Sequence, residues 1–261
     1  MSAPERVEAR GKGSVTIIGL GPGDPRLLTE SARAALDRAQ DLIGYIPYVA
    51  RVPERAGLTR HASDNRVEVD RARHALELAM SGRHVAVVSG GDPGVFAMAA
   101  AVFEAVESGP AEWRDLEIRV EPGITAMLAA AARLGAPLGG DFCAISLSDN
   151  LKPWEVVTAR LEAVLRAGLS VALYNPISSA RPWQLGRALA LAAEILPPAT
   201  PVIFARAVTR PDEALRVLTL DEARTAPADM ATMVIIGAPT TRLIEREGRL
   251  PFVYTPRSVP A

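Results

Sequence analysis

Short apolar runs rich in β-branched residues alternate with longer stretches in which apolar positions recur every three or four residues. The first pattern predicts buried strands and the second amphipathic helices. Strands are expected at 15–18, 41–43, 85–88 and 117–120, and helices at 31–38, 67–80, 96–107 and 124–134. Thr29 stands where an N-cap belongs, one residue before a helix-forming run. The repeated order of strand, loop and helix predicts parallel βαβ units. Gly135-Ala136-Pro137-Leu138-Gly139-Gly140 interrupts the pattern and reads as a domain boundary. Beyond it, strands are expected at 142–147, 170–174, 201–205, 217–220 and 233–236, and helices at 154–167 and 181–195. The closing strands follow one another without long helices, which favours antiparallel pairing. The expected architecture is therefore two α/β domains, 14–136 and 140–252, with a cleft between them. Residues 1–13 and 255–261 read as flexible tails.

Two joints carry more glycine than a turn requires. Ser89-Gly90-Gly91-Asp92-Pro93-Gly94-Val95-Phe96 follows one apolar run, and Gly19-Leu20-Gly21-Pro22-Gly23-Asp24-Pro25 follows another. Glycine at a strand end leaves main-chain N–H and C=O groups open to a ligand, and ligands of open α/β sheets sit at such ends. A tight strand-to-helix turn would also call for glycine. The first joint resembles the dinucleotide fingerprint only in part, because Asp24 replaces its third glycine and would repel a pyrophosphate. Pro22 also removes a donor that a phosphate would use. The joint suits a ligand met by backbone groups and lacking phosphate.

Composition narrows the chemistry. Nearly half of the 261 residues are hydrophobic, enough for a substantial core. No apolar run reaches membrane-spanning length and the first twelve residues lack a signal-peptide core, so a cytoplasmic protein without membrane contact is expected. Cys143 is the single cysteine, which excludes an internal disulfide and a thiolate metal cluster; it reads as a small buried side chain. His61, His74 and His84 share no ligand spacing, so no metal is expected. The formal net charge is −1 and no basic tract interleaves with aromatics, which argues against nucleic acid. Lys12 and Lys152 are the only lysines, so positive charge falls almost wholly on arginine, as a genomic bias or a preference for carboxylates would produce. A hydrolase or kinase finds no motif here.

Four motifs in fixed order resemble the tetrapyrrole methylase family: Gly19 to Pro25, Leu28-Thr29, Gly90-Gly91-Asp92-Pro93, and Pro122-Gly123-Ile124-Thr125-Ala126. The resemblance runs from about residue 14 to about residue 250. Within the family, Gly44-Tyr45-Ile46-Pro47-Tyr48-Val49, Ser146-Leu147-Ser148-Asp149, Pro153-Trp154-Glu155, Tyr174-Asn175-Pro176 and Asp229-Met230 are similar to the branch that methylates C17 and contracts the ring. The resemblance implies an S-adenosylmethionine-dependent C-methyltransferase of cobalamin biosynthesis acting on a precorrin, a tetrapyrrole, as a homodimer. It implies cofactor contacts at Pro22, Gly90, Gly91, Asp92, Val95, Thr125, Ala126, Asn175, Arg206, Ala207 and Thr232. A sulfonium donor needs in-line approach and little acid–base help, which agrees with loops that lack phosphate-binding character.

Ring contraction also asks for a base near a substrate hydroxyl. Asp24, Tyr45, Glu121 and Asp149 are the candidates, being on or beside the loops. Asp24 and Asp149 also fit turn or cap roles, Tyr45 packing, and Glu121 a solvated strand end. The carboxylate arms of the macrocycle call for arginine, with Arg26, Arg181, Arg206 and Arg210 near the loops. A cobalt-containing substrate, another methylase of this fold acting on diphthamide-type or RNA ribose targets, and a non-catalytic binding protein are the alternatives.

Overall fold

The computed structural model describes residues 13–64, 67–178 and 180–258. The chain divides into two compact units, with the division between Thr125 and Ala126.

The first unit holds β1 (Ser14–Gly19), α1 (Glu30–Arg38), β2 (Asp41–Tyr45), α2 (Ile46–Val49), β3 (Thr59–Ser63), α3 (Glu68–Met80), β4 (His84–Ser89), α4 (Met98–Ser108) and β5 (Glu117–Glu121). Its strands form one sheet in the order β3-β2-β4-β1-β5, every pair parallel. Side chains alternate between two cores. Val15, Ile17, Ile43, Val85 and Val87 meet α3 and α4 residues such as Leu76 and Val102. Ile18, Leu42, Ala86 and Val88 meet Ala32, Ala35 and Leu36 of α1. A strand covered on both faces must be apolar at successive positions, which is why these runs show no alternation. Thr29 caps α1 as expected, its hydroxyl accepting from the Ala32 N–H at 3.2 Å. All five carboxyl ends lie on one edge, which gathers Gly19, Tyr45, Ser89 and Glu121 and the loops that follow them.

The second unit holds α5 (Ala126–Leu134), β6 (Gly135–Ala136), β7 (Phe142–Ser146), α6 (Trp154–Arg166), β8 (Ser170–Tyr174), α7 (Gln184–Ala193), β9 (Pro201–Arg206), β10 (Ala214–Thr219), α8 (Leu220–Ala223), β11 (Thr232–Ile236), β12 (Arg242–Arg246) and β13 (Arg249–Tyr254). The main sheet runs β10-β9-β11-β8-β7. β7 and β8 are parallel, and β11 is antiparallel to both neighbours. The expected antiparallel pairing of closing strands is present at β9, β10 and β11. β7, β8 and β9 therefore share a direction, and their carboxyl ends lie on one edge with the start of β11. Leu161, Leu165, Leu189, Phe204 and Val234 centre a core under α6, α7 and α8.

Several boundaries differ from the sequence reading. α5, expected to close the first domain, packs on β11 and β13 within the second unit. The Gly135–Gly140 break is a joint inside that unit. α7 starts three residues late because Ser178 and Arg181 pair in a turn ahead of Pro182. α4 starts at Met98, after Phe96 takes a φ of 52°. Gly13 and Thr255 were assigned to flexible tails, yet both are buried. The Gly13 N–H bonds to the Ala79 carbonyl at 2.9 Å. The Thr255 hydroxyl donates to the Pro137 carbonyl at 2.6 Å and meets Thr241 at 2.8 Å. Residues 1–12 and 259–261 of those tails lie outside the described residues.

Candidate active site

At the carboxyl edge of the first sheet the chain packs backbone on backbone. A Cβ on Gly123 would stand 2.2 Å from the Gly91 carbonyl oxygen, and one on Gly19 would stand 2.7 Å from that oxygen and from the Gly123 nitrogen. Gly21 and Gly91, with φ of 67° and 66°, exchange two hydrogen bonds of 3.1 and 2.9 Å. Gly19 and Gly123 make room for neighbouring backbone and Gly21 spends its N–H and C=O on Gly91, so the expectation of main-chain groups left open to a ligand is corrected at Gly19 and Gly21. Gly90 differs. Its missing Cβ is replaced by the Tyr48 ring, which would lie 2.7 Å away. Its own N–H and C=O enter no hydrogen bond among the described residues, and it is half-buried. A half-buried peptide with both groups unused is the main-chain feature a ligand exploits.

Asp92 ties the same corner together. One carboxylate oxygen accepts from the Gly94 N–H at 2.8 Å and the other from the Gly123 N–H at 3.0 Å. Pro22 is buried, Val95 is half-buried, and Thr125 is buried ahead of α5, which opens at Ala126. Asp24 is engaged by Arg26: it accepts the Arg26 backbone N–H at 2.8 Å and three guanidinium contacts, from Nε and Nη2, at 2.7 to 3.1 Å. It caps the 3-10 turn Pro25–Leu27. Tyr45 packs edge-on against Tyr48, ring centres 5.5 Å apart. Glu121, half-buried at the end of β5, is paired with Ile18 through its backbone, and its carboxylate makes no hydrogen bond or ion pair among the described residues.

The carboxyl edge of the second sheet shows strain of another kind. Asn175 and Ala207, the first residues after β8 and β9, have φ of 52° and 47°. Non-glycine residues in this region cost free energy and gather at ligand sites. Asn175 is exposed, and its amide donates to the Ser146 hydroxyl at 2.9 Å. Buried Ala207 donates its N–H to the Ala231 carbonyl at 2.9 Å. Asp229 organises the strand opposite. It accepts from the Thr232 hydroxyl at 2.8 Å, the Ala231 N–H at 3.0 Å and Arg206 Nε at 2.6 Å. Burial works against its charge, but hydrogen bonds from Thr232, Arg206 and Ala231 outweigh it and hold the carboxyl below its usual range. Arg206 also pairs with Asp212 at 2.9 Å. Arg206, Thr232, Phe204, Arg216 and Asp229 line one cavity of about 310 Å³. Asp149, after β7, is held by Arg181 at 2.7 Å and by the Gln184 amide at 3.0 Å. Arg210 is exposed, its N–H bonded to the Ala207 carbonyl at 2.9 Å.

The two edges thus gather the named residues in two groups. Pro22, Asp24, Tyr45, Gly90, Gly91, Asp92, Val95 and Glu121 belong to the first sheet's edge; Asp149, Asn175, Arg206, Ala207 and Thr232 belong to the second's. Residues that organise these corners but were not named are Tyr48, Arg51, Ser146, Gln184 and Asp229. Tyr48, Ser146 and Asp229 lie inside the quoted motifs, so the signal was present; Arg51 and Gln184 carry none in sequence. Among the described residues no group of three or more His, Cys, Asp or Glu is placed to hold a metal ion, and no helix is long and apolar enough to cross a membrane.

The model of the family Tetrapyrrole (Corrin/Porphyrin) Methylases matches residues 14–224. Precorrin-3B C(17)-methyltransferase of a Sinorhizobium species is 58% identical over 245 residues, which cover 94% of this chain and 96% of that protein. The crystal structure of the methyltransferase CobJ is similar with a TM-score of 0.87 at 55% identity, covering 94% of this chain and 100% of the other. Uroporphyrin-III C-methyltransferase from Thermus thermophilus, complexed with S-adenyl homocysteine, shares the fold at a TM-score of 0.69 and 22% identity, over 90% of this chain and 97% of the other. With glycine corners at three parallel strand ends, strained residues after β8 and β9, and a family match across most of its length, the chain belongs to the tetrapyrrole methylases.

Proposed function

We propose that this protein is an S-adenosylmethionine-dependent C-methyltransferase that methylates precorrin-3B at C17 and contracts the macrocycle to precorrin-4, a step of cobalamin biosynthesis. The observation that carries this reading is the 58% identity to a precorrin-3B C(17)-methyltransferase over nearly the whole of both chains. The residues fit the cofactor. The unused peptide groups of Gly90 offer one donor and one acceptor, matching a ligand that has amino, carboxylate, hydroxyl and adenine groups but no phosphate. Gly90, Gly91, Asp92, Val95, Asn175, Arg206, Ala207 and Thr232 are the residues proposed to hold it, with Pro22, Thr125 and Ala126 completing the set. When bound, S-adenosylmethionine supplies an electrophilic methyl group on a sulfonium centre.

The chain's own work is positioning and one proton transfer. Asp24 and Asp149 each have their carboxylate engaged by an arginine. Glu121 carries no such partner among the described residues, so it is the group proposed to accept the proton of the substrate hydroxyl that starts ring contraction. Tyr45 would orient that hydroxyl. Arg26, Arg181 and Arg210 are proposed to meet carboxylate arms of the macrocycle. The protein is further proposed to be a cytoplasmic homodimer. Support for the dimer comes from exposed Leu243, Ile244, Leu250 and Phe252 on the β12–β13 hairpin, an apolar surface of the kind that associates.

Anaerobic incubation with purified precorrin-3B and methyl-labelled S-adenosylmethionine tests the reading. The expected product carries one labelled methyl at C17 and the mass and spectrum of a contracted ring. Unchanged pigment, or label at another carbon, refutes it. Light scattering that gives the mass of one chain at micromolar concentration refutes the dimer.

A further inference from the structure

Gly44-Tyr45-Ile46-Pro47-Tyr48-Val49 was singled out by resemblance, yet the proposed reaction uses only Tyr45. Its helical part, α2, lies under both glycine loops of the first unit. The Tyr48 ring fills the place of the absent Gly90 side chain: a Cβ there would stand 2.7, 2.9 and 3.1 Å from Cε1, Cζ and the hydroxyl oxygen. The ring is itself steadied edge-on by Tyr45 at 85°. Two residues past the helix, the half-buried Arg51 turns its guanidinium onto the other loop. Nη2 donates to the Leu20 carbonyl at 2.6 Å, and Nη1 and Nη2 donate to the Gly21 carbonyl at 3.1 Å each. The two loops are joined by the paired hydrogen bonds of Gly21 and Gly91.

We propose that Tyr48 and Arg51 are positioning residues, and that α2 is a strut which fixes the two loops so that the Gly90 peptide and Pro22 face the cofactor correctly. This rests on the cofactor reading given above. Three features make a strut of it. A guanidinium is a planar fork, so three bonds to two successive carbonyls set the rotation of the Leu20–Gly21 peptide as well as its position. Those carbonyls are drawn toward Arg51, while the Gly90 N–H and C=O enter no hydrogen bond among the described residues. Charge-assisted bonds from a half-buried guanidinium are among the stronger hydrogen bonds available to hold these carbonyls. The Gly21–Gly91 bridge then carries the setting from one loop to the other.

The test compares the full-length wild type with R51A, R51K, Y48L and Y48F. Two readouts are used: amide hydrogen exchange at residues 19–24 and 89–94 without ligand, and calorimetric titration with S-adenosylhomocysteine. R51A is expected to speed exchange in both loops together and to weaken binding about tenfold or more. R51K, a point donor that cannot bridge two carbonyls, should fall between R51A and wild type. Y48L should act on the 89–94 loop first, and Y48F, which keeps the ring, should behave as wild type. A role confined to fold stability would lower the ligand-free melting temperature and leave the affinity of the folded protein unchanged. Binding by R51A within about twofold of wild type, or faster exchange in only one loop, overturns the proposal. If R51A does not fold, R51K and Y48L carry the same comparison. Wild-type protein that binds no S-adenosylhomocysteine overturns the cofactor reading and the purpose given to the strut, while the exchange data still decide whether α2 couples the loops.

Discussion

Gly123→Ala is a demanding change at the glycine corner of the first sheet. The added Cβ would meet the Gly91 carbonyl oxygen at 2.2 Å and Gly19 backbone atoms at 2.9 Å, where ordinary contact begins at 3.4 Å. None of these atoms belongs to a side chain that could swing aside, so a peptide must move. Moving Gly91 breaks its two hydrogen bonds with Gly21, and moving Gly123 breaks the one its N–H makes to Asp92. Three such bonds at about 1 kcal/mol each, with overpacking of about 1–3 kcal/mol, give a loss of about 4–6 kcal/mol. Gly186→Ala is the control. Gly186 is exposed within α7 and nothing lies within 4 Å of its would-be Cβ. That change should stabilise by about 0.5–1 kcal/mol through helix propensity. Urea unfolding followed by circular dichroism measures both. A Gly123→Ala protein that loses less than about 1 kcal/mol refutes the view that these glycines exist for backbone packing.

Other changes probe charge and chemistry. Asp41 is buried where Arg83 Nε and His61 Nε2 donate to it at 2.6 and 2.8 Å. Burial alone would raise its pKa, but hydrogen bonds from Arg83 and His61 win and lower it. Its contribution is therefore complete above the unfolded carboxyl value of about 3.9 and is lost as pH falls through the lower folded value. Asp41→Asn should cost about 1–3 kcal/mol at neutral pH and flatten the acid limb of the stability curve below about pH 4, read by urea melts at stepped pH. Asp229→Ala removes the acceptor shared by Thr232, Ala231 and Arg206; S-adenosylhomocysteine affinity should fall about tenfold or more by calorimetry. Glu121→Gln should lower the rate of ring contraction by about 10²- to 10⁴-fold with cofactor affinity unchanged, and an unchanged rate removes Glu121 as the base.

Much of the fold was legible because burial on both faces of a parallel sheet writes continuous apolar runs. The strands that escaped notice lack that imprint. β3, Thr59-Arg60-His61-Ala62-Ser63, pairs only with β2 at the sheet's edge, and its sequence is polar at most positions. β12 and β13 place Leu243, Ile244, Leu250 and Phe252 at the surface, so no buried face orders their pattern. The site was legible as a set of loops, since glycine and proline punctuate strand ends, but the reason for the glycines was not. A sequence shows that a Cβ is missing; it does not show whether a ligand, a neighbouring peptide or the Tyr48 ring takes the space. The distinction needed the contact between positions as distant as Gly19, Gly91 and Gly123.

Pairing of charges limits the sequence reading in the same way, and it orders the arginines proposed for the substrate. Arg26 and Asp24 are two residues apart, and their ion pair follows from the 3-10 turn that Asp24 caps. The Arg26 side chain is 88% exposed. Asp24 itself is 16% exposed, so drawing Arg26 away would leave a mostly buried carboxylate that the Arg26 backbone N–H still meets at 2.8 Å. Arg181 and Asp149 are 26% and 21% exposed, and Gln184 holds the same carboxylate. Drawing Arg181 away would leave a similarly buried Asp149 charge with the Gln184 amide as donor. Arg206 stands between them in exposure but is shared by Asp229 and Asp212, and releasing it also loosens the corner that holds Thr232. Arg26 is the most exposed of these three guanidinium groups, which favours it among the arginines proposed to meet a carboxylate. Arg181 and Arg206 are each held by carboxylates of this chain, so a substrate carboxylate would have to compete with Asp149 for the first and with Asp229 and Asp212 for the second.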